Sequence, residues 1–493
     1  MTTDAINAAL SGLRVTQQAL DLTAVNVANA QTEGYTRKIL PQDSLVIGNR
    51  GVGVRAGEIQ RYVDQSLLRD YRTQIGVETG LSVRESYLSR IQSFHGSSDK
   101  ESSLASRLNA LASSFTTLSA DPDNATAQQA AVDKAVNLAA TINKYADFLV
   151  QLRTETQNAL STEVNNVNLQ LKTIADFNKR IEQLKFVGSS SASLEDLRDV
   201  AIKKLSELID VSYFEDGNGM LVVQTRNGQV LADGEAHPLT FVDGNMTYAA
   251  SYPDSLSGVT VAAGTIGALD LTATTAGGKI GALLSLRDQE LPTYIAQIDE
   301  LAHKIAMRFD AQGVRLFTDQ TGTVPPDSPS MYLGFAQNMR VNQAVLADPS
   351  RLQQGTSGPA IDAGSSAVLD KIISFTFGKS QDASGTPHPA FNLSGTGPGG
   401  TVSFTGLIGS NASLDEFARA MLGSQAEQHS LTNSQLTTEK AYTQEVQKRL
   451  LDGSTVSTDE EMATLIELQK HYTASAKVIN ALDELFRDLL NAF

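Results

Sequence analysis

The two ends of this 493-residue chain carry matching helical patterns, and this symmetry limits the folds open to it. Residues 3–30 follow a heptad repeat of apolar side chains with few charges, and residues 459–491 follow a heptad repeat of similar length. A lone helix of this kind leaves an apolar stripe in water. We therefore expect the two ends to pair with each other, with further copies of the chain, or with both. Two ordinary helices of a globular bundle are the alternative.

Apolar positions at heptad spacing are the predicted contacts of these two helices. They are Ile6, Leu10, Leu13, Leu20 and Val27 near the start, and Leu465, Leu468, Tyr472, Ile479, Leu482, Phe486 and Leu489 near the end. Ser457 and Thr458 stand three residues before Glu460 and Glu461, which fits a capping box at the start of the last helix. Capping explains this acidic cluster with fewer assumptions than a metal or acid–base role.

The middle of the chain changes character several times. Residues 125–186 carry one long apolar stripe, which predicts an unusually long helix. Between residues 210 and 275, four Asp-Gly or Asn-Gly pairs separate short apolar runs, which predicts an antiparallel β unit. The remaining predicted elements are an extended segment at 34–62, helices at 63–94, 101–120, 193–209, 278–317 and 413–451, short helices or turns at 340–352 and 366–375, and a loop or second small β insert at about 378–411.

These elements predict a mainly α fold with small β inserts (α+β). We expect an elongated, multidomain, folded-back rod with a terminal α-helical coiled coil, a bundle of long helices and an antiparallel β insert. The predicted domains are a terminal coiled-coil assembly domain (1–40 and 455–493), a helical rod domain (41–210 and 276–454, with the insert at about 378–411) and an exposed β domain (211–275).

Composition and motifs argue against most chemical functions. The net charge is −16, and the sequence has no Lys/Arg cluster of the kind that phosphate backbones reward. With no Cys, a thiol nucleophile, a disulfide and a Cys-based metal site are excluded. The six His lack zinc spacing, and no apolar run is long enough to span a membrane. We therefore predict no catalytic, cofactor-binding or metal-binding residues, and expect a protein that is not an enzyme.

Two terminal motifs resemble a known family. Asn26, Ala28 and Asn29, followed by Gly34, Tyr35 and Arg37, resemble the N-terminal signature of flagellar rod, hook and hook-associated proteins. The C-terminal stretches Val456–Ala463, Leu465–Gln469, Tyr472–Ile479 and Asp483–Phe486 are similar to the FlgK family of hook-associated proteins. Leu468 and Lys470-His471 stand where many relatives carry Phe and Gln-Ala.

The resemblance implies a structural adapter at the junction of hook and filament, outside the cell. It implies export through the flagellar type III apparatus without a cleaved signal, and assembly into a ring through the terminal helices. The implied partners are further copies of the chain, the hook protein, the third hook-associated protein and a FlgN-type export chaperone at the C-terminal segment, without nucleic acid or membrane insertion. The alternatives are another axial protein (the hook protein or the third hook-associated protein), or an enzyme with its domain in an insert, where only His237 and His388 are available.

Overall fold

A computed structural model of the chain describes residues 2–47, 50–96, 103–217, 219–261, 269–272, 277–328, 330–357, 361–402, 407 and 411–491. Its α-helices are α1 (Thr2–Ala28), α2 (Gln65–His95), α3 (Leu104–Ala120), α4 (Ala125–Phe186), α5 (Ala192–Leu208), α6 (Gly278–Ser285), α7 (Leu291–Ala311), α8 (Phe335–Asn338), α9 (Gln343–Ala347), α10 (Arg351–Gln354), α11 (Ala367–Lys371), α12 (Leu414–Ser454) and α13 (Thr458–Asn491). Its strands are β1 (Lys38–Ile39), β2 (Gln42–Ile47), β3 (Arg50–Ala56), β4 (Gln60–Arg61), β5 (Val211–Glu215), β6 (Leu221–Thr225), β7 (Val230–Ala232), β8 (Leu239–Phe241), β9 (Val259–Val261), β10 (Leu269–Asp270), β11 (Phe317–Thr318) and β12 (Arg340–Val341).

The predicted fold class, mainly α with small β inserts, is confirmed. The chain forms two compact units. Unit 1 comprises Met1–Glu78, Asn166–Leu239 and Thr438–Phe493, and unit 2 comprises Thr79–Asn165 and Thr240–Thr437. The three-part domain division expected from the sequence stays a prediction.

The large hydrophobic core of unit 2 explains why such long helices are stable there. α3, α4 and α7 contribute side chains with no exposed surface, among them Phe115, Leu149 and Phe309. The rings of Phe115 and Phe309 lie 5.4 Å apart. The predicted long helix at 125–186 is confirmed, because tertiary packing along its apolar stripe supplies the stability that helix propensity alone does not.

A π-helical segment joins α6 to α7 at Leu286–Glu290, within the stretch 278–317 where the sequence predicted one helix. Its extra residue lets the fully buried Arg287 donate to Gln157 Oε1 at 2.9 Å and to the Ser257 carbonyl at 3.1 Å. Arg287 also forms a bidentate pair with Asp288, at 2.8 Å to each oxygen. The π-helical segment thus places the Arg287 side chain in the interior, where it has hydrogen-bond partners.

The β segment forms two three-stranded antiparallel sheets, in the orders β5-β6-β7 and β10-β9-β8. The turns at Asp216-Gly217 and Asn227-Gly228 join the strands of the first sheet, as the Asx-Gly pattern predicts. The first sheet lies in unit 1, whereas Thr240–Thr437, which contains most of the second sheet, belongs to unit 2. In the 378–411 segment the described residues form turns, a short 3₁₀ helix (Pro398–Gly400) and isolated bridges, and residues 403–406 and 408–410 lie outside the described part.

A histidine in unit 2 makes the stability of that unit depend on pH. His95 Nε2 lies 2.8 Å from Gln425 Oε1, and burial lowers the pKa of His95 to about 4. In the unfolded chain this imidazole takes up a proton near pH 6.5, whereas in the folded unit it does so only near pH 4. The unfolding free energy of unit 2 therefore falls as the pH drops from 6.5 toward 4. Between pH 7 and pH 5, the unfolding free energy of the natural chain should fall by on the order of 1 kcal/mol more than that of His95→Gln.

Urea unfolding at the two pH values measures this difference. His471→Gln, at an exposed position of α13 in unit 1, is the matched control. Burial also lowers the pKa of His303 and His388, so part of the dependence persists in His95→Gln. An unaltered dependence in His95→Gln contradicts the assignment to this residue.

Candidate functional site: the terminal helix pair and its joint

The first and last helices of the chain pack against each other, as the matching heptads predict. We call α1 and α13 the terminal pair. Strand β3 also packs on α1, where Ser11 Oγ accepts a hydrogen bond from the Val54 amide at 3.1 Å. The terminal pair therefore brings residues from opposite ends of the sequence into one element of unit 1.

The heptad side chains that were predicted as contacts of the two terminal helices differ in how much of their surface is exposed in the single chain. Most are half-buried: Ile6, Leu13, Leu20, Val27, Leu465, Leu468, Tyr472, Ile479 and Leu482. Leu10 and Phe486 are exposed, and the Leu489 side chain lies outside the described part. The most buried side chains of α1 are instead Val15, Thr16, Thr23 and Asn26. The terminal pair thus leaves much of its apolar surface uncovered.

Two residues of the N-terminal signature, Asn26 and Tyr35, meet at one buried amide. Asn26, at 2% exposure, donates to Glu461 Oε2 at 3.1 Å and to the Lys38 carbonyl at 2.9 Å. Its own oxygen accepts from the Tyr35 hydroxyl at 2.9 Å and from the Lys38 amide at 3.2 Å. Because every polar atom of this buried amide has a partner, Asn26 fixes the turn after α1 against α13.

Glu461 corrects the interpretation of the acidic cluster as a cap. The Glu460 amide does donate to Ser457 Oγ, at 3.4 Å, so Ser457 supports the start of α13. The carboxylate of Glu461, however, points away from the cap and accepts from Arg37 Nε at 2.7 Å as well as from Asn26. A buried acid here ties the two chain ends together, and sequence reasoning missed that role.

Helix α5 supplies the other half of the network, through Asp196. This nearly buried carboxylate pairs with Lys38 Nζ at 2.6 Å and Arg61 Nε at 2.8 Å, and accepts from the Thr36 hydroxyl at 2.6 Å. Burial lowers the pKa of Lys38, and the hydrogen bond and charge of Asp196 oppose that shift. The pair therefore keeps a cation in a site where burial alone disfavours one.

Asp199, one turn further along α5, repeats the arrangement. It pairs with Arg72 at 2.6 Å and also with Arg61. Burial alone would raise the pKa of Asp199, but the guanidinium groups of Arg72 and Arg61 outweigh it and hold the pKa below its ordinary value. We call the eight residues that connect the terminal pair to α5 the terminal joint: Asn26, Tyr35, Arg37, Lys38, Arg61, Asp196, Asp199 and Glu461.

Of the remaining signature residues, Tyr35 belongs to the terminal joint, whereas Gly34 and Asn29 lie outside it. Burial, together with Asp196 and Glu461, raises the pKa of Tyr35 to about 12, so its hydroxyl remains a donor. Gly34 has φ of +78°, and a Cβ at that position would overlap the side chain of Val200, which explains the glycine. Asn29 donates to the Val25 carbonyl at 2.9 Å and closes the end of α1 rather than joining the network.

The geometry suits a mechanical role. Within the described ranges, no group of three or more His, Asp or Glu side chains is arranged to hold a metal ion. Also among those residues, no helix combines the length and apolar character needed to cross a bilayer. The carboxylates of the terminal joint all face cations or amides of the same unit, so the joint links the terminal pair to α5.

Three models of flagellar protein families match parts of this chain. The model of the flagellar hook-associated protein FlgK helical domain matches residues 88–323. The model of the flagellar basal body rod FlgEFG protein C-terminal matches residues 447–492, and that of the flagella basal body rod protein matches residues 6–36. The last two matches contain the parts of α1 and α13 that form the terminal pair.

Curated relatives agree over the whole length. Flagellar hook-associated protein 1 of Salmonella typhimurium is 24% identical over 99% of both chains, and that of Bacillus subtilis is 26% identical over 99% of this chain and 97% of the relative. Among solved structures, the flagellar hook junction protein FlgK from Burkholderia pseudomallei matches 52% of this chain and 45% of its own, with a TM-score of 0.44 and 24% identity.

The paired termini and the matching models define a structural protein of the flagellar axis. Such a protein resides in the flagellum in association with other axial components. Within that class, the helical-domain match and the full-length curated relatives are to flagellar hook-associated protein 1 (FlgK). The resemblance expected from the terminal motifs is therefore confirmed.

Proposed function

We propose that this chain is the adapter that joins hook to filament, and that it acts without catalysis. The observation that carries the proposal is the uncovered apolar surface of the terminal pair. Besides Leu10 and Phe486, the large apolar side chains that are exposed in the described part of the terminal pair are Val25, Met462, Ile466, Val478 and Leu485. Apolar surface of this extent on a two-helix element marks a protein interface, because a monomer gains nothing by leaving it in water.

Assembly follows from this surface. The terminal pairs of successive copies cover one another's apolar side chains and build a ring, with the predicted heptad positions as contacts. The hook protein and the third hook-associated protein adjoin the ring on its two sides. Before assembly, export through the flagellar type III apparatus places the chain outside the cell, and a FlgN-type chaperone covers the C-terminal segment, where the exposed apolar side chains of α13 lie.

The alternative, that the chain is the hook protein or the third hook-associated protein, has less support. The helical-domain match at residues 88–323 carries the FlgK description, whereas the terminal matches are to rod-protein models. Deleting the gene tests directly whether this chain is the hook protein, because loss of the hook protein would remove hooks as well as filaments. Gold-labelled antibody against this chain separates the third hook-associated protein by its position relative to the hook.

Electron microscopy of the deletion strain, with an assay of flagellin in the medium, tests the proposal. We expect hooks without filaments, and flagellin released into the medium. A plasmid copy of the unaltered gene is the control and restores filaments. Normal filaments on the deletion strain would refute the adapter function.

A further inference from the structure

The last helix of the chain is held to unit 1 by one buried side chain. Within residues 458–488, the part of α13 whose side chains the structure describes, Glu461 alone is buried, at 2% exposure. The apolar side chains in that range are half-buried or exposed. Glu461 accepts hydrogen bonds from Asn26 Nδ2 at 3.1 Å and from Arg37 Nε at 2.7 Å. The buried attachment of this part of α13 is therefore a polar contact in its first turn.

This acid stands on a heptad row that is otherwise mostly apolar. Counting forward from Glu461 in steps of seven residues gives Leu468, Ser475 and Leu482, and we call these four positions the Glu461 row. The other three side chains are half-buried, as a row that faces α1 requires. A polar side chain at a core position of a helix pair costs stability, but it favours the one arrangement in which it meets its partner. Glu461 has both the position and the partner for that role.

The contact with Asn26 sets the level at which the two helices meet. Asn26 lies near the end of α1 and Glu461 near the start of α13, so the helices run antiparallel. Equal steps of seven residues, starting from Glu461 and from Val27 beside Asn26, bring half-buried positions of the two helices to matching levels. These pairs are Leu20 with Leu468, Leu13 with Ser475, and Ile6 with Leu482. Only residues 455–457 link α12 to α13, so sliding of α13 along α1 is limited and rotation about its axis is the main freedom left.

In the second half of α13, apolar residues flank the Glu461 row on both sides. Ile479 and Phe486 lie on one side, and Val478 and Leu485, which are both exposed, lie on the other. A rotation of α13 by about 50° would exchange one flanking row for the other and still place apolar side chains against α1. The same rotation would move the Glu461 carboxylate away from its donors, because hydrogen bonds tolerate little change in distance or angle. The polar contact therefore distinguishes two settings that apolar packing separates poorly in this half of the helix.

We infer that Glu461 is a positioning residue for assembly, because its hydrogen bonds with Asn26 and Arg37 fix the rotation of α13. This inference rests on the proposed ring. The setting that Glu461 selects leaves Val478 and Leu485 outside, where a neighbouring terminal pair can cover them. An apolar side chain at position 461 would keep the two helices together but would remove the selection. Successive copies would then offer different surfaces to one another.

Disulfide formation within the purified chain measures the rotation, because the natural chain has no Cys. At a dilution that prevents contact between copies, Leu13→Cys with Ser475→Cys reports the Glu461 row, and Leu13→Cys with Val478→Cys reports the flanking row. We expect the first pair to oxidise roughly tenfold faster, since moving a buried carboxylate off its donors disfavours the rotated setting by about that factor. Glu461→Leu should bring the two rates within about twofold, with the helix content measured by circular dichroism unchanged.

Two further variants separate positioning from general stability. Glu467→Leu is the matched control, because the Glu467 side chain is 74% exposed on α13, and it should keep the preference for the Ser475 pair. Glu461→Gln retains an acceptor for Asn26 and should keep the preference as well. A preference that survives in Glu461→Leu would overturn the inference, and so would loss of both disulfides together with loss of helix, which is the result of a purely stabilising contact.

Flagellin in the medium connects this measurement to assembly. Glu461→Leu cells should shed about tenfold more flagellin than Glu467→Leu cells, the same factor by which the selected setting is favoured. If deletion of the gene abolishes filaments but Glu461→Leu behaves like Glu467→Leu in both assays, the positioning role is wrong and the adapter function stands. Normal filaments on the deletion strain remove the adapter function and, with it, the assembly role inferred for Glu461.

Discussion

Leu482→Asp abolishes filament attachment while unit 2 keeps its unfolding transition. Leu482 is half-buried on α13, and in the proposed ring the neighbouring terminal pairs complete its burial. A carboxylate placed there loses its water without gaining a partner, which costs several kcal/mol at every copy in the ring. Ile479→Asp should have the same effect. Filament counts by electron microscopy and flagellin in the medium measure it.

Leu482→Met is the matched control, because it conserves side-chain volume without adding charge, and filaments remain attached. Thermal unfolding of the purified variants shows whether the buried core of α3, α4 and α7 is intact. Leu482→Asp cells with normal filaments, or a Leu482→Met variant as defective as Leu482→Asp, would contradict the proposed role of the terminal pair.

Asp196→Ala destabilises unit 1 by about 3–5 kcal/mol, because it leaves the buried Lys38 without its paired carboxylate and removes one of the carboxylates that pair with Arg61. Lys38 and Arg61 both lose a partner at less than 3 Å, and both side chains have little access to water. Burial then lowers the pKa of Lys38 without opposition from Asp196, so the lysine tends to lose its proton as the pH rises. Urea unfolding of the purified chain measures the loss.

A surface ion pair supplies the comparison. Asp43 pairs with Arg55 at 3.6 Å, and both side chains are more than half exposed, so Asp43→Ala should cost less than about 1 kcal/mol. Asp196→Asn, which keeps an acceptor for Thr36 but removes the charge, should fall between the two. If Asp196→Ala costs no more than Asp43→Ala, the terminal joint does not hold unit 1 together.

Much of the helical architecture was predictable because helix formation depends on local periodicity. The apolar stripe of α4 repeats over 62 residues, and tertiary packing confirmed it with bounds close to those expected. The Asx-Gly turns of the first β sheet were predictable for a similar reason, since a positive φ at Gly228 is a local requirement of the chain. The division of the β segment between the two units was not, because strand partners are chosen by distant packing surfaces.

The terminal joint shows the limit most clearly. Local rules assign Glu461 to a helix cap, and its actual partners Asn26 and Arg37 lie more than 420 residues away in the sequence. Local sequence patterns assign no role to Asp196, although it follows the buried Ala192 by four residues and so lies on the buried face of α5. An acid on a buried stripe is the one local signal that could have identified it.

The amino-acid sequence by itself thus determined the helices, their lengths and the terminal motifs that carry the family resemblance. Each of these depends on residues within a few turns of one another. Only the tertiary structure decided which charges meet in the terminal joint and which segments line the pocket beside it. The reason is physical: a buried ion pair or a pocket requires segments from distant parts of the chain, and no spacing along the sequence records which of them come together.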